Sequence, residues 1–176
     1  DNSGVIALAE SIRNNGALEI VNIMGSKIDK ALLSHFQKIM RSKPKLVSLC
    51  GIADNATEAD LSGLEMNSDD AVVLADELPT KRWLTSIKIG NNNIPNAQAQ
   101  AIYQLVRMNK LNLAIEDKTL TELDVSGIGF GTEGAVVVAE YIKNNGALTS
   151  LNISSNKLLN KESGKALADA LKENAV

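Results

Sequence analysis

An α/β fold built from repeated strand–loop–helix units is predicted for this chain, with a parallel sheet on the inner side of a curved slab and helices on the outer side. Three observations predict it. An eleven-residue aliphatic pattern recurs five times along the 176 residues, each copy is followed by a helical stripe, and the composition suits a thin layered core. Only five residues are aromatic (Phe36, Trp83, Tyr103, Phe130 and Tyr141), so Leu, Ile, Val and Ala must fill many similar slots.

The copies justify themselves in order. LEIVNIMGSKI (18–28), LTSIKIGNNNI (84–94) and LTSLNISSNKL (148–158) place aliphatic residues at positions 1, 4, 6 and 11. LTELDVSGIGF (120–130) keeps positions 1, 4 and 6. ATEADLSGLEM (56–66) is weaker but shares Thr, Glu, Asp, Ser and Gly with it at an offset of 64. The starts are 18, 56, 84, 120 and 148, so steps of 38, 28, 36 and 28 alternate long and short. Five strands are therefore expected near 18–24, 56–62, 84–90, 120–126 and 148–154, in one domain over 1–176.

Helical stripes fill the spaces between: Val5, Leu8, Ala9, Ile12; Leu32, His35, Phe36, Ile39; Ala71, Leu74, Ala75, Leu78; Gln98, Ala101, Ile102, Leu105; Ala135, Val138, Ala139, Ile142; Gly164, Leu167, Ala168, Leu171. Ser68, Thr132 and Ser163 are the expected N-caps. Gly16 and Gly146 are expected to close helices in the left-handed conformation, and Pro79 and Pro95 to mark a helix end and a helix start. One such unit cannot bury both apolar sides alone, so units stack; a helix is wider than a strand, roughly 10 Å against about 4.8 Å, and the stack bends into a horseshoe segment.

LTSLNISSNKL resembles the leucine-rich repeat, L-x-x-L-x-L-x-x-N-x-L, and the 28-residue steps resemble its ribonuclease-inhibitor-like subclass, which also includes repeat regions of NOD-like receptors and the Ran GTPase-activating protein. The resemblance covers nearly the whole chain and implies a right-handed solenoid. Asn92 and Asn156 match the motif's Asn, which in the family satisfies backbone groups where strand becomes loop. Ser26, Leu64 and Ile128 depart from it, so those loops are expected to turn differently. Ala56 and Ala59 replace Leu in the second copy. In an alternative register Leu46 and Leu49 are the strand leucines and 56–66 is loop. The long repeats carry extra stretches, KLVSLCGIADN (45–55) and KLNLAIEDK (110–118), read as covered loops or as a lateral ledge for a partner.

Alternation along each strand sends the intervening residues to the open face. The columns are Ile20, Glu58, Ser86, Glu122, Ser150; then Asn22, Asp60, Lys88, Asp124, Asn152; then Met24, Ser62, Gly90, Ser126, Ser154. The face is polar and mildly acidic with an apolar end at Ile20 and Met24. It is either a solvated sheet with an Asp60–Lys88–Asp124 charge ladder or a docking surface for a basic or hydrogen-bonding partner. Candidate partner-binding residues are Ile20, Asn22, Met24, Glu58, Asp60, Lys88, Glu122, Asp124 and Asn152. Trp83, just before a strand leucine, is expected to pack in a loop.

Composition removes other functions. A net charge of −3 offers no basic footprint for nucleic acid, and no apolar run approaches the 18 or so residues of a membrane span. One Cys and one His exclude an intramolecular disulfide and a His- or thiolate-built metal site. His35 and Cys50 fall where a part-buried imidazole and a buried thiol are expected. GIGFGTEG (127–134) superficially matches a phosphate loop but fits neither the dinucleotide nor the P-loop spacing. No catalytic residue, cofactor or metal is expected. The expectation is a cytoplasmic, non-catalytic module binding another protein. The resemblance offers a second possibility, a small-GTPase regulator using the loop at Asn91, Asn92 and Asn93; a structural spacer is the third. No polar capping unit marks either terminus, so the chain reads as cut from a longer array, with possible self-association through uncapped ends.

Overall fold

In a computed structural model, residues 2–156 and 160–174 are described; Leu158, the last aliphatic position of the fifth copy, lies outside them. Helices and short strands alternate: α1 (Ser3–Asn14), α2 (Lys30–Arg41), β1 (Glu58–Asp60), α3 (Ser68–Glu77) with a 3-10 turn at Leu78–Thr80, β2 (Ser86–Lys88), α4 (Asn96–Ala114), β3 (Glu122–Asp124), α5 (Thr132–Asn144), β4 (Ser150–Asn152) and α6 (Lys161–Asn174). Strand pairing is parallel, β1 with β2 and β3 with β4, with Glu58 opposite Ser86 and Glu122 opposite Ser150. The chain forms two compact units, 1–106 and 107–176.

In the first unit, Phe36, Leu49, Met66, Leu74 and Leu84 are completely buried between helices and strands. In the second, Phe130, Val125, Val138 and Ile142 do the same. Each such side chain is worth roughly 1.5–3 kcal/mol of burial. The first and last stripes depart from expectation. Leu8 and Ile6 of α1 are 44% and 50% exposed, and α6 buries Ser163, Leu167 and Ala170 while Leu171 stays 49% exposed. Among the described residues of its unit, each of these helices packs on a neighbour on one side only.

The caps sit one to three residues before the expected ones. Asn67 takes the cap of α3 in a reciprocal box with Asp70, Gly131 precedes α5, and the Asn160 side chain accepts the Ser163 N–H at 2.8 Å. Asn caps a helix start as well as Ser does, and Gly131 makes no side-chain cap bond. Gly16 and Gly146 are not left-handed; instead Asn15 and Asn145 accept the N–H groups that follow, from Ala17 and Leu18 and from Ala147.

The first extra stretch is not a loop. Val47 and Val21 donate to Glu19 and Ser48 carbonyls, Ile23 donates to Leu49, and Gly51 to Val21, all within 2.8–3.0 Å. Residues 47–51 thus run as an added ladder beside 19–23, with Leu46 and Leu49 buried. Leu46 lies 28 residues after Leu18, an ordinary repeat step, but 56–66, a loop in the alternative register, carries β1. The second stretch becomes helix instead, since Lys110–Ala114 prolongs α4.

The loops explain the Asn pattern. The eighth position of every copy has positive φ: Gly25, Gly63, Asn91, Gly127 and Ser155. The three copies lacking Asn at position nine (Ser26, Leu64 and Ile128) add a second left-handed residue at position ten: Lys27, Glu65 and Gly129. Asn93, the equivalent after Asn92, needs none. Gly25 is required twice over, because a Cβ there would lie 1.6 Å from the Leu64 carbonyl oxygen. Gly134 is required by Phe130, whose own Cβ would be 2.4 Å away from one. The Gly-rich 127–134 stretch is therefore turn and packing geometry.

Candidate functional site

The strand-exit residues do a backbone job. Asn22 accepts from Met24 N–H, Asp60 from Ser62, Asp124 from Ser126 and Asn152 from Ser154, at 2.9–3.1 Å. Each is an Asx turn bending the chain out of its strand. Asp60 also accepts a short bond from the Ser62 hydroxyl, and the Ser62 and Ser126 bonds hold the Asp60 and Asp124 carboxyls below their ordinary values. Of the expected ladder, the Asp60–Lys88 rung is present at 3.6 Å, while Asp124 accepts from Asn152 Nδ2 at 3.1 Å.

The first column is different. Glu58, Ser86, Glu122 and Ser150 are exposed, and Glu58 and Glu122 make no ion pair or side-chain hydrogen bond among the described residues. Glu58, Asp60, Ser86 and Lys88 line a shallow polar cleft of about 350 Å³ on the first unit's sheet. Ile20 is 39% exposed, but Met24 is 6% exposed and belongs to the core, so the expected apolar end of the face reduces to Ile20. Trp83 also departs from expectation: it is 43% exposed with the Arg82 guanidinium 4.6 Å above its ring.

Asn92 is fully used. Its amide donates to the Leu61 and Ile89 carbonyls at 2.8 and 2.9 Å and accepts from Met66 N–H at 3.0 Å. Asn156 repeats this on Val125, Ile153 and Gly129. These are the turn roles the motif implies, and they leave Asn92 no free group for a partner.

A buried polar network went unnoticed in the sequence. Glu77 reaches from α3 to accept Leu49 N–H at 2.7 Å and the Ser48 hydroxyl at 2.8 Å. Lys81, with no exposed side chain, donates to the Val47 carbonyl at 2.7 Å and pairs with Asp54 at 2.6 Å. Burial pushes the Glu77 carboxyl up, against the pull of Leu49, Ser48 and Lys81. Burial, reinforced by Glu77, also pushes the Cys50 thiol well up, so the thiolate is disfavoured. Sixty-four residues on, Tyr141 and Asn145 occupy the same places: the Tyr141 hydroxyl donates to the Asp117 carbonyl at 2.9 Å and Asn145 donates to the Leu120 carbonyl and to Tyr141. The constant offset was the signal available, since it aligns Glu77 with Tyr141 and Lys81 with Asn145. His35 is half-buried, 3.3 Å from Arg13. Among the described residues, no group of three or more His, Cys, Asp or Glu could hold a metal, and no helix is long and apolar enough to cross a membrane.

Residues 116–139 and 145–168 each match the Leucine Rich repeat family model. Over 178 aligned residues the chain is 24% identical to a protein phosphatase 1 regulatory subunit 37 homolog of Caenorhabditis briggsae, and 22% identical to that of Caenorhabditis elegans. Each alignment covers 99% of the chain but only 17% of the relative. Among solved structures, the Caenorhabditis elegans tropomodulin C-terminal domain is similar at 14% identity and a TM-score of 0.36, over 98% of this chain and 93% of that one. Leiomodin-1 actin-binding site 2 is similar at 18% and 0.33, over 94% and 86%.

Proposed function

We propose that the chain is a non-catalytic protein-interaction segment of a regulatory protein, holding a partner protein against the exposed polar face of its strands. In this reading the two units belong to one ribonuclease-inhibitor-like leucine-rich solenoid working in the cytoplasm, and the partner belongs to a phosphatase assembly like that named for the relatives. The observation that carries the reading is the pair of free carboxylates, Glu58 and Glu122, in the same place of successive units and each opposite an exposed Ser. Their neighbours Asp60 and Asp124 are committed to turns, so Glu58 and Glu122 are the groups left to read a partner, and their charge selects a basic one.

Affinity capture with the wild-type chain and with Glu58→Lys/Glu122→Lys, followed by calorimetric titration of the captured protein once purified, tests this. A partner whose affinity falls about tenfold or more in the double variant is expected. The same proteins held with equal affinity by both would refute the sheet-face reading.

A further inference from the structure

We propose that Asn15 is a site of spontaneous covalent modification, losing its side-chain amide through a cyclic imide formed with Gly16, while the fold protects Asn145 from the same reaction. The chain carries its own control. The sequence Asn-Asn-Gly-Ala-Leu occurs twice, at 14–18 and at 144–148, each time where a helix ends. Identical local sequence makes the two intrinsic rates alike, so a difference between them comes from the fold.

The step is an intramolecular acyl transfer. The Gly16 nitrogen gives its proton to water and attacks Asn15 Cγ. The new C–N bond closes an imide ring, the Cγ–Nδ2 bond breaks, and ammonia leaves. Water then opens the ring at Cγ, giving Asp, or at the main-chain carbonyl, giving an isoaspartyl linkage. Water is the sole co-reactant.

At Asn15 the geometry favours this step. The residue is exposed, and its Oδ1 accepts from the Ala17 and Leu18 N–H groups, both at 2.9 Å. Those donors face the oxygen on which negative charge develops when Cγ is attacked. Nδ2, the leaving group, makes no hydrogen bond among the described residues, and neither does the Asn15–Gly16 peptide group. Asn15 has a ψ of 118°, so that peptide must turn to bring the Gly16 nitrogen onto Cγ. Glycine takes up the turn at its own φ, and even a Cβ on Gly16 would meet nothing within 4 Å.

At Asn145 the same atoms are occupied. The residue is 1% exposed. Its Nδ2 donates to the Leu120 carbonyl at 2.9 Å and to the Tyr141 hydroxyl at 2.7 Å, and its own carbonyl accepts from Asn174 Nδ2 at 2.9 Å. Reaction there waits for a local opening that breaks these bonds and admits water. At Asn15 the isoaspartyl linkage carries the main chain through the former side chain. It removes the acceptor of the Ala17 and Leu18 N–H groups just before 19–23, the segment that pairs with 47–51.

The test ages the whole folded chain at mildly alkaline pH and body temperature, then digests it. Mass spectrometry quantifies both Asn-Gly peptides, and methyl transfer by an isoaspartate methyltransferase marks the rearranged linkage. Asn15 should convert about tenfold or more faster than Asn145, with isoaspartyl product present. In guanidinium chloride the two rates should converge. Gly16→Ala, checked for unchanged melting, should slow conversion at Asn15 severalfold and leave Asn145 as it was. Equal rates in the folded chain, Asp without isoaspartyl product, or a rate at Asn15 indifferent to Gly16→Ala would overturn the proposal. So would an Asn15 amide still intact in the folded chain after the unfolded chain has converted.

Discussion

Replacing Glu77 by Ala tests the account of the first unit most directly. The carboxylate is buried and accepts two bonds, from Leu49 N–H and the Ser48 hydroxyl. Truncation leaves both donors without that acceptor, and each unsatisfied buried group costs about 1–3 kcal/mol. Loss of side-chain volume adds about 1 kcal/mol for the cavity. Against this stands relief from burying a charge, whose cost shows in the raised carboxyl. Ser48 loses less than Leu49, because its oxygen still accepts from Cys50 and Ile52 N–H at 3.0 Å. The net is about 2–4 kcal/mol. Urea unfolding followed by far-ultraviolet circular dichroism reads the total, and amide exchange reads the place: Leu49 should lose its protection while amides of α5 keep theirs. A loss under about 1 kcal/mol, or Leu49 protection equal to wild type, would refute the claim that Glu77 stitches 47–51 to α3.

Other outcomes follow from the same geometry. Folding raises the Glu77 carboxyl, so its contribution is complete at low pH and is lost as pH rises through the folded value. The urea midpoint of wild type relative to Glu77→Gln should therefore fall as pH rises above about 4, the ordinary Glu value, and a rising difference would contradict it. Asn92→Ala strips partners from Met66 N–H and two carbonyls and should cost about 2–4 kcal/mol in thermal melting, whereas Asn93→Ala, whose exposed side chain serves no turn, should cost under about 0.5. Gly25→Ala meets the Leu64 carbonyl and a φ of 69°, and should lower stability by at least about 2 kcal/mol.

Much of this was readable in one dimension. Period-two aliphatics followed by period-3.6 stripes placed the strands and helices, because burial on one face forces those periods. The 64-residue offset aligns Glu58 with Glu122. The loops were partly readable: absent Asn at Ser26, Leu64 and Ile128 signalled a different turn, though not its left-handed residue at position ten. The site was less legible. Met24 fits the outward column by alternation, yet it is buried, and Asp60 and Asp124 look free in sequence although their own Ser neighbours occupy them.

Local repetition, then, determined the unit: which residues form strand, turn and helix, and which sides need cover. Only the tertiary structure decided how the two extra stretches were used. Both begin Lys-Leu and turn acidic. A buried Glu77 and Lys81 supply charge-assisted partners for backbone groups that make no helical bonds, so residues 47–51 can lie extended beside 19–23. Tyr141 and Asn145 supply neutral partners to two carbonyls only, and residues 110–114 keep their hydrogen bonds inside a helix. Backbone groups must be satisfied somewhere, and which partner is within reach is a property of the folded neighbourhood rather than of the segment.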